Sequence, residues 1–311
     1  MDTNDFTAQR LIHKICTSLS IIISILDIFL YWFFPQNRNF SFTNIIILSI
    51  INLIYSISTL LPFDENMTQP ENSTICAIQS FLVNLSHSAQ YLQVSIISYC
   101  IFIKIIKRNF LDKNYKIYRL IFFILLLSFP LIFSIYLLIT RGYGNSGIFC
   151  WIDIYTVYRR NFIKKVILNY YITIWFLLLI NLFFVVKIKA TLKKNKIKNE
   201  IYDHLIKYPI ILIISAFPTT FNVLYRIFNK NKKIVFFVYL QVIFESCFGM
   251  IINIIFITSP WIKQSIVGLI VSYKNKEDDF NNIMPIKVES NYSTMIGNEV
   301  ANFINDKDKN Y

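Results

Sequence analysis

Two carboxylates stand where a charged side chain is costly. Asp27 lies within IIISILDIFLYWFF and Glu245 within VYLQVIFESCFGMII. An ionisable group in such surroundings can pair with a cation, carry a proton or hold a coupling ion, and inside a membrane it marks a functional position by default. The plainer alternative is that each is protonated or faces a polar cavity. A second constellation is Ser80, Asn84, His87, Tyr91, Ser95 and Ser98. Steps of three and four at 100° per residue keep these six within a wedge of about 80° on one helix face. Turned toward lipid, that face would be expensive, so it points into a bundle. Its outer half, Asn84, His87 and Tyr91, is a candidate ligand contact; Ser95 and Ser98 suit hydrogen-bonded glue between helices. No constellation here does covalent chemistry. The chain has no HExxH, no GxSxG, no phosphate-cradling Gly-rich loop and no metal-spaced Cys/His cluster, so no enzyme, metal or cofactor is expected.

The elements that position these residues follow from composition. Hydrophobic residues make up 55% of 311, charged residues only 16%, and mean hydropathy is +0.50, too apolar for a soluble domain of this length. Nearly uncharged runs, long enough to cross roughly 30 Å of hydrocarbon as helix, occur near 17–34, 43–63, 75–103, 118–139, 162–186, 208–229 and 234–259. They are continuous rather than alternating, which excludes a barrel. The expected fold is an all-α, seven-transmembrane-helix bundle over 17–259. A short extracellular N-terminus (1–16), an amphipathic juxtamembrane helix (260–273) and a disordered cytoplasmic tail (274–311) complete the expected organisation. In the juxtamembrane helix Trp261, Ile262, Ile266, Leu269, Ile270 and Tyr273 share one side, as in a helix lying on a membrane. The polar start MDTNDFTAQR lacks the basic region of a cleavable signal peptide.

Orientation follows from charge. With the N-terminus outside, the inner segments hold seventeen basic residues and the outer ones eleven, which favours N-out. The sequons at Asn66 and Asn72 then lie in an outer loop, where glycosylation occurs. Of five cysteines, Cys16, Cys100 and Cys247 sit within or beside apolar spans, where cysteine behaves as a small hydrophobe. Cys76 and Cys150 remain, both on the outer side, where disulfides persist. A bond between them would close a loop of about 75 residues, credited with roughly 4 kcal/mol in the chain-entropy model; two free thiols are the alternative. Trp151, next to Cys150, is either an interfacial belt aromatic or a ligand contact.

Several stretches carry a family resemblance: a cysteine at the outer end of span three, Cys150-Trp151-Ile152, and Ile105-Ile106-Lys107-Arg108 at the inner end of span three. Phe129-Pro130-Leu131-Ile132, Tyr208-Pro209, Arg226-Ile227-Phe228-Asn229 and Pro260-Trp261 add to it. In order and spacing these resemble the cyclic AMP receptors of social amoebae and their receptor-like relatives, which are G-protein-coupled. Tyr225 stands where that family has asparagine, and Ile-Thr-Ser precedes Pro260 in place of an asparagine-rich stretch. The resemblance implies a receptor for a small extracellular ligand, cyclic AMP or another anion, that activates a heterotrimeric G protein at the plasma membrane. Arg226 matches the family's arginine and is expected to meet a phosphate or other anion, aided by Arg141, Arg159, Arg160, Lys164 and Lys165 around the outer mouth.

The expected ligand set is therefore Asn84, His87, Tyr91, Trp151, Arg226 and Glu245. Lys107, Arg108, Lys193 and Lys194 are expected to contact the G protein, although their basic loops suit anionic membrane lipids as well. No nucleic-acid partner is expected. Two other membrane-protein classes have signatures of their own. A retinal-binding bundle needs a lysine in span seven, and none occurs from Ile234 to Pro260. A secondary transporter would use Asp27 and Glu245, but the chain lacks the repeated, matched helix breaks of that class.

Overall fold

The computed structural model describes residues 3–34, 40–61, 74–106, 115–145, 149–152, 161–194, 200–228, 235–260, 262–263, 265–268 and 271. Its elements are α1 (Thr3–Phe33), α2 (Phe40–Leu60), α3 (Thr74–Ile106), α4 (Tyr115–Ile139), β1 (Tyr143–Asn145), β2 (Cys150–Ile152), α5 (Asn161–Lys194), α6 (Glu200–Leu205), α7 (Lys207–Phe228) and α8 (Val235–Ile257). Seven of these helices are long and apolar enough to cross a membrane, only the short α6 being excluded. The chain is an all-α, seven-helix, multi-pass membrane protein.

Helix α1 begins at Thr3, well before the expected start of span one at 17. The reason lies in its polar residues. Gln9, His13, Thr17, Ser20, Ser24 and Asp27 recur every three or four positions and are all buried. Gln9 and His13 thus extend, ahead of residue 17, a stripe that faces the bundle. Leu11, Ile15, Leu19, Ile22 and Phe29 point outward. Elsewhere among the described residues, outward faces carry apolar residues such as Phe123, Ile132, Phe176 and Leu179, while hydroxyls and amides share the centre with buried apolar residues such as Phe42, Leu48 and Ile252. Lipid solvates the apolar side chains, and only protein can satisfy the polar ones.

Helix α3 is the central element, touching α2, α4, α5, α7 and both strands, while α8 packs on α1, α2 and α7. Gly249 on α8 permits a close approach there, because an added Cβ would run into Ser20 Oγ. On the same pair of helices the thiols of Cys16 and Cys247 meet at 2.9 Å.

Two prolines lie inside helices, Pro130 in α4 and Pro218 in α7, each removing a backbone donor. The end of α4 is a Schellman turn. Gly142 N donates to Leu137 O at 2.9 Å, Arg141 N donates to Leu138 O at 3.2 Å, and Arg141 takes a left-handed φ of 50°. That reversal delivers the chain directly into β1.

The chain divides into two compact units, Met1–Lys263 and Gln264–Tyr311. In the second unit, residues 265–268 and 271 are helical, with Ile266, Val267 and Val271 exposed. Leu269, Ile270, Tyr273 and the tail from 274 lie outside the described residues.

Candidate functional site

The site is built from a two-stranded lid, the middle of α3 and the facing turns of α2, α7 and α8. β1 and β2 pair antiparallel, with Gly144 opposite Trp151 and Asn145 opposite Cys150. Cys150 is joined to Cys76, at the start of α3, by a disulfide. One turn further along α3, Gln79 Oε1 accepts from Cys150 N at 2.9 Å, and its Nε2 donates to the carbonyls of Ser58 (3.1 Å) and Leu61 (3.0 Å) at the end of α2. One amide thus ties the hairpin to two helices. The far strand is held by Tyr143, whose hydroxyl donates to Ser134 O at 3.0 Å. Burial pushes the Tyr143 phenol above its ordinary value, so it remains a donor at any physiological pH.

So anchored, the hairpin sets Trp151 against His87, with ring centroids 5.8 Å apart and planes at 73°. Trp151 is only 5% exposed, and its indole Nε1 has no hydrogen-bond partner among the described residues. His87 continues the aromatic contact inward to Tyr91 at 5.0 Å and Tyr55 at 6.1 Å. It also shares a 3.3 Å hydrogen bond with Tyr170 OH, which Ser88 Oγ approaches to 3.0 Å. Beyond His87 lies a small cavity of about 10 Å³, room for about one water, walled by Tyr55, His87, Gln90 and Tyr91, with Leu212, Ser215, Glu245 and Phe248 opposite. Glu245 accepts from Gln241 Nε2 at 3.3 and 3.4 Å, and Gln241 Oε1 in turn accepts from Asn222 Nδ2 at 2.5 Å.

Of the six residues expected to bind ligand, His87, Tyr91 and Glu245 share this cavity, and Trp151 touches its rim through His87. Asn84 is directed elsewhere: its Nδ2 donates to Ser134 Oγ on α4 at 3.0 Å. Arg226 lies in the last turn of α7, and its side chain is outside the described set. Asn66, Asn72, Lys107 and Arg108 also fall outside the described residues, whereas Lys193 and Lys194 are exposed at the end of α5.

The inner part of the α3 face meets α5. Asn181 Nδ2 donates to Ser95 Oγ at 2.8 Å, and Asn181 Oδ1 accepts from Ser98 Oγ at 2.6 Å. Asp27 belongs to a separate network. Ser49 Oγ donates to Asp27 Oδ2 (3.0 Å) and lies 3.2 Å from Asn253 Oδ1, while Asn253 Nδ2 donates to Ser24 Oγ at 2.5 Å. The two intramembrane carboxylates therefore sit in different surroundings, Asp27 among α1, α2 and α8 and Glu245 at the cavity.

Sequence reasoning did not find Tyr55, Gln90 or Ser215 as cavity walls, nor Asn181 and Asn253 as network centres. A signal existed for the amides. Each interrupts an apolar run as Asp27 does, and an amide in lipid needs a partner nearly as much as a carboxylate does. Tyr55 gave none, since a tyrosine in a span reads as a belt or packing residue.

No known protein family's sequence profile matches the chain. It is similar to latrophilin receptor-like protein A of Dictyostelium discoideum, 29% identical over 163 residues. The match covers 52% of this chain and 51% of that protein, so the chain spans about half the length of the curated relative.

Proposed function

We propose that this protein is a plasma-membrane G-protein-coupled receptor that binds a small extracellular ligand beneath the β1–β2 hairpin and performs no covalent chemistry. The observation that carries the reading is the pinned lid. A disulfide and the Gln79 amide hold Trp151 against His87, directly over a cavity formed by four helices. A rigid cover over converging polar and aromatic side chains of four helices is the arrangement of a ligand site. Similarity to a latrophilin receptor-like protein supports the same class. The disulfide also favours N-out orientation, because such bonds persist on the extracellular side. Asn66 and Asn72 then face the glycosylation machinery.

Signal transfer follows as a population shift. A ligand that touches α3, α7 and α8 together binds one arrangement of those helices better than another and biases the bundle toward it. The inner ends of α3, α5 and α7 then change spacing, and Lys107, Arg108, Lys193 and Lys194 meet the G protein. The finer expectation, a cyclic AMP-like anion, depends on Arg226 and the outer basic residues.

A screen of protein in lipid nanodiscs, read by ligand-induced thermal shift with cyclic AMP and other nucleotides first, tests that expectation. Arg226→Ala at intact surface expression should weaken an anionic ligand at least tenfold; unchanged potency removes Arg226 from the site. A secondary transporter is the alternative supported by Asp27 and Glu245. Solute accumulation in liposomes without nucleotide exchange on a G protein would favour it.

A further inference from the structure

The small cavity beneath the hairpin restricts its occupant by size and by charge. About 10 Å³ of open space takes one water-sized particle and nothing larger. The wall carries one formal charge, the Glu245 carboxylate on α8, and among the described residues no lysine or arginine lines it. Gln241 Nε2 donates to both Glu245 oxygens, but at 3.3 and 3.4 Å, long for hydrogen bonds to a charged acceptor. The charge is therefore weakly compensated, and the apolar sides formed by Leu212 and Phe248 do little to screen it.

The neutral groups of the wall turn their hydrogens elsewhere. Ser215 Oγ donates to Leu212 O of its own helix at 3.0 Å, and Gln90 Nε2 donates to Asn52 Oδ1 at 2.7 Å. Ser215 Oγ and Gln90 Oε1 thus keep lone pairs to offer. His87 Nδ1 is engaged with Tyr170 OH at 3.3 Å. The hydroxyls of Tyr55 and Tyr91 lie within Coulombic reach of Glu245. Oxygen acceptors gathered around a weakly compensated carboxylate are the surroundings a hard cation selects. A water fits the space but brings no charge, and a divalent ion beside a single carboxylate would bury an excess of positive charge. A dehydrated sodium ion is smaller than a water molecule and closes the balance.

We infer that this cavity is a sodium site, in which the Glu245 carboxylate is the counter-charge and oxygens of Ser215, Gln90, Tyr55 and Tyr91 complete the surroundings. The inference goes beyond the receptor reading and does not rest on it. Among the described residues no cluster of His, Cys, Asp and Glu marks the place, because a monovalent ion needs only one formal counter-charge.

The test is thermal unfolding of the full chain in nanodiscs, titrated with sodium chloride against choline chloride at constant ionic strength and pH. Choline is too large for the space. A saturable rise in Tm with sodium and none with choline is expected, since an ion that binds the folded state stabilises it. The half-saturating sodium concentration should increase about tenfold or more in Glu245→Gln, which keeps the shape and one oxygen but loses the charge. Ser215→Ala removes one oxygen without touching the Gln241 contact, and should raise that concentration roughly threefold; it decides alone where Glu245→Gln fails to fold. Identical melting of folded wild type in the two salts overturns the inference, the cavity then taking only water. A sodium response unchanged in the folded variants overturns it too, by placing the ion elsewhere. So does an equal response to choline, which is a salt effect and not a site.

Discussion

Asn181 illustrates how individual polar side chains act in this bundle. Its amide bonds Ser95 and Ser98 across the α3–α5 interface, yet both serines also donate to their own helix, to Tyr91 O at 2.9 Å and Val94 O at 3.0 Å. Removing the amide therefore leaves neither hydroxyl stranded. Asn181→Ala should cost about 1 kcal/mol in reversible unfolding, within the range measured for interhelical hydrogen bonds in membranes. A loss of about 3 kcal/mol or more would mean that Asn181 has a further structural role. At this scale the sequence was legible in part. The spacing of Ser95 and Ser98 announced an inward face with a polar partner, but the partner's identity required knowing which helix lies opposite. Asn84 shows the converse: it shares the face of His87 and Tyr91, yet its amide reaches Ser134 rather than the cavity.

Among the elements, α1 and α8 depart furthest from a simple reading of hydropathy. Gln9 and His13 of α1 are polar and buried against protein, with His13 Nδ1 2.6 Å from Ser246 Oγ on α8 and its ring 5.1 Å from Phe149 before β2. A window that scores only apolar content cuts the helix short at such a stripe. The pairing of α1 with α8 has a direct check in Cys16 and Cys247, whose sulfurs are 2.9 Å apart. Treatment with copper–phenanthroline, which takes two electrons and two protons from a thiol pair, should join Cys16 to Cys247 as one disulfide-linked peptide in mass spectrometry. Independent alkylation of both thiols under the same oxidant would contradict the α1–α8 packing. The hairpin was legible as a loop but not as strands: three residues a side, held by side chains of α3 and α4, leave little trace in sequence periodicity.

For the whole molecule, composition alone carried the fold. Seven apolar runs have few alternatives to seven helices, because the bilayer core offers backbone groups no water. Local sequence does not encode the arrangement of those helices, with α3 central and α8 packed between α1 and α7. The cavity arises from that arrangement, from residues on four helices as far apart in the chain as Tyr55 and Phe248. The receptor class is supported by the lid and by similarity to a receptor-like relative.

The central claim is that this assembled bundle is a receptor. Its most direct test is guanine-nucleotide exchange on a purified heterotrimeric G protein by the protein in nanodiscs, with and without a ligand from the screen, for wild type and Cys150→Ser. Wild type should accelerate exchange in a ligand-dependent way, with ligand potency reduced at least tenfold when Cys150→Ser frees the hairpin. Ligand binding that never changes the exchange rate, together with solute uptake by the same protein in liposomes, would contradict it.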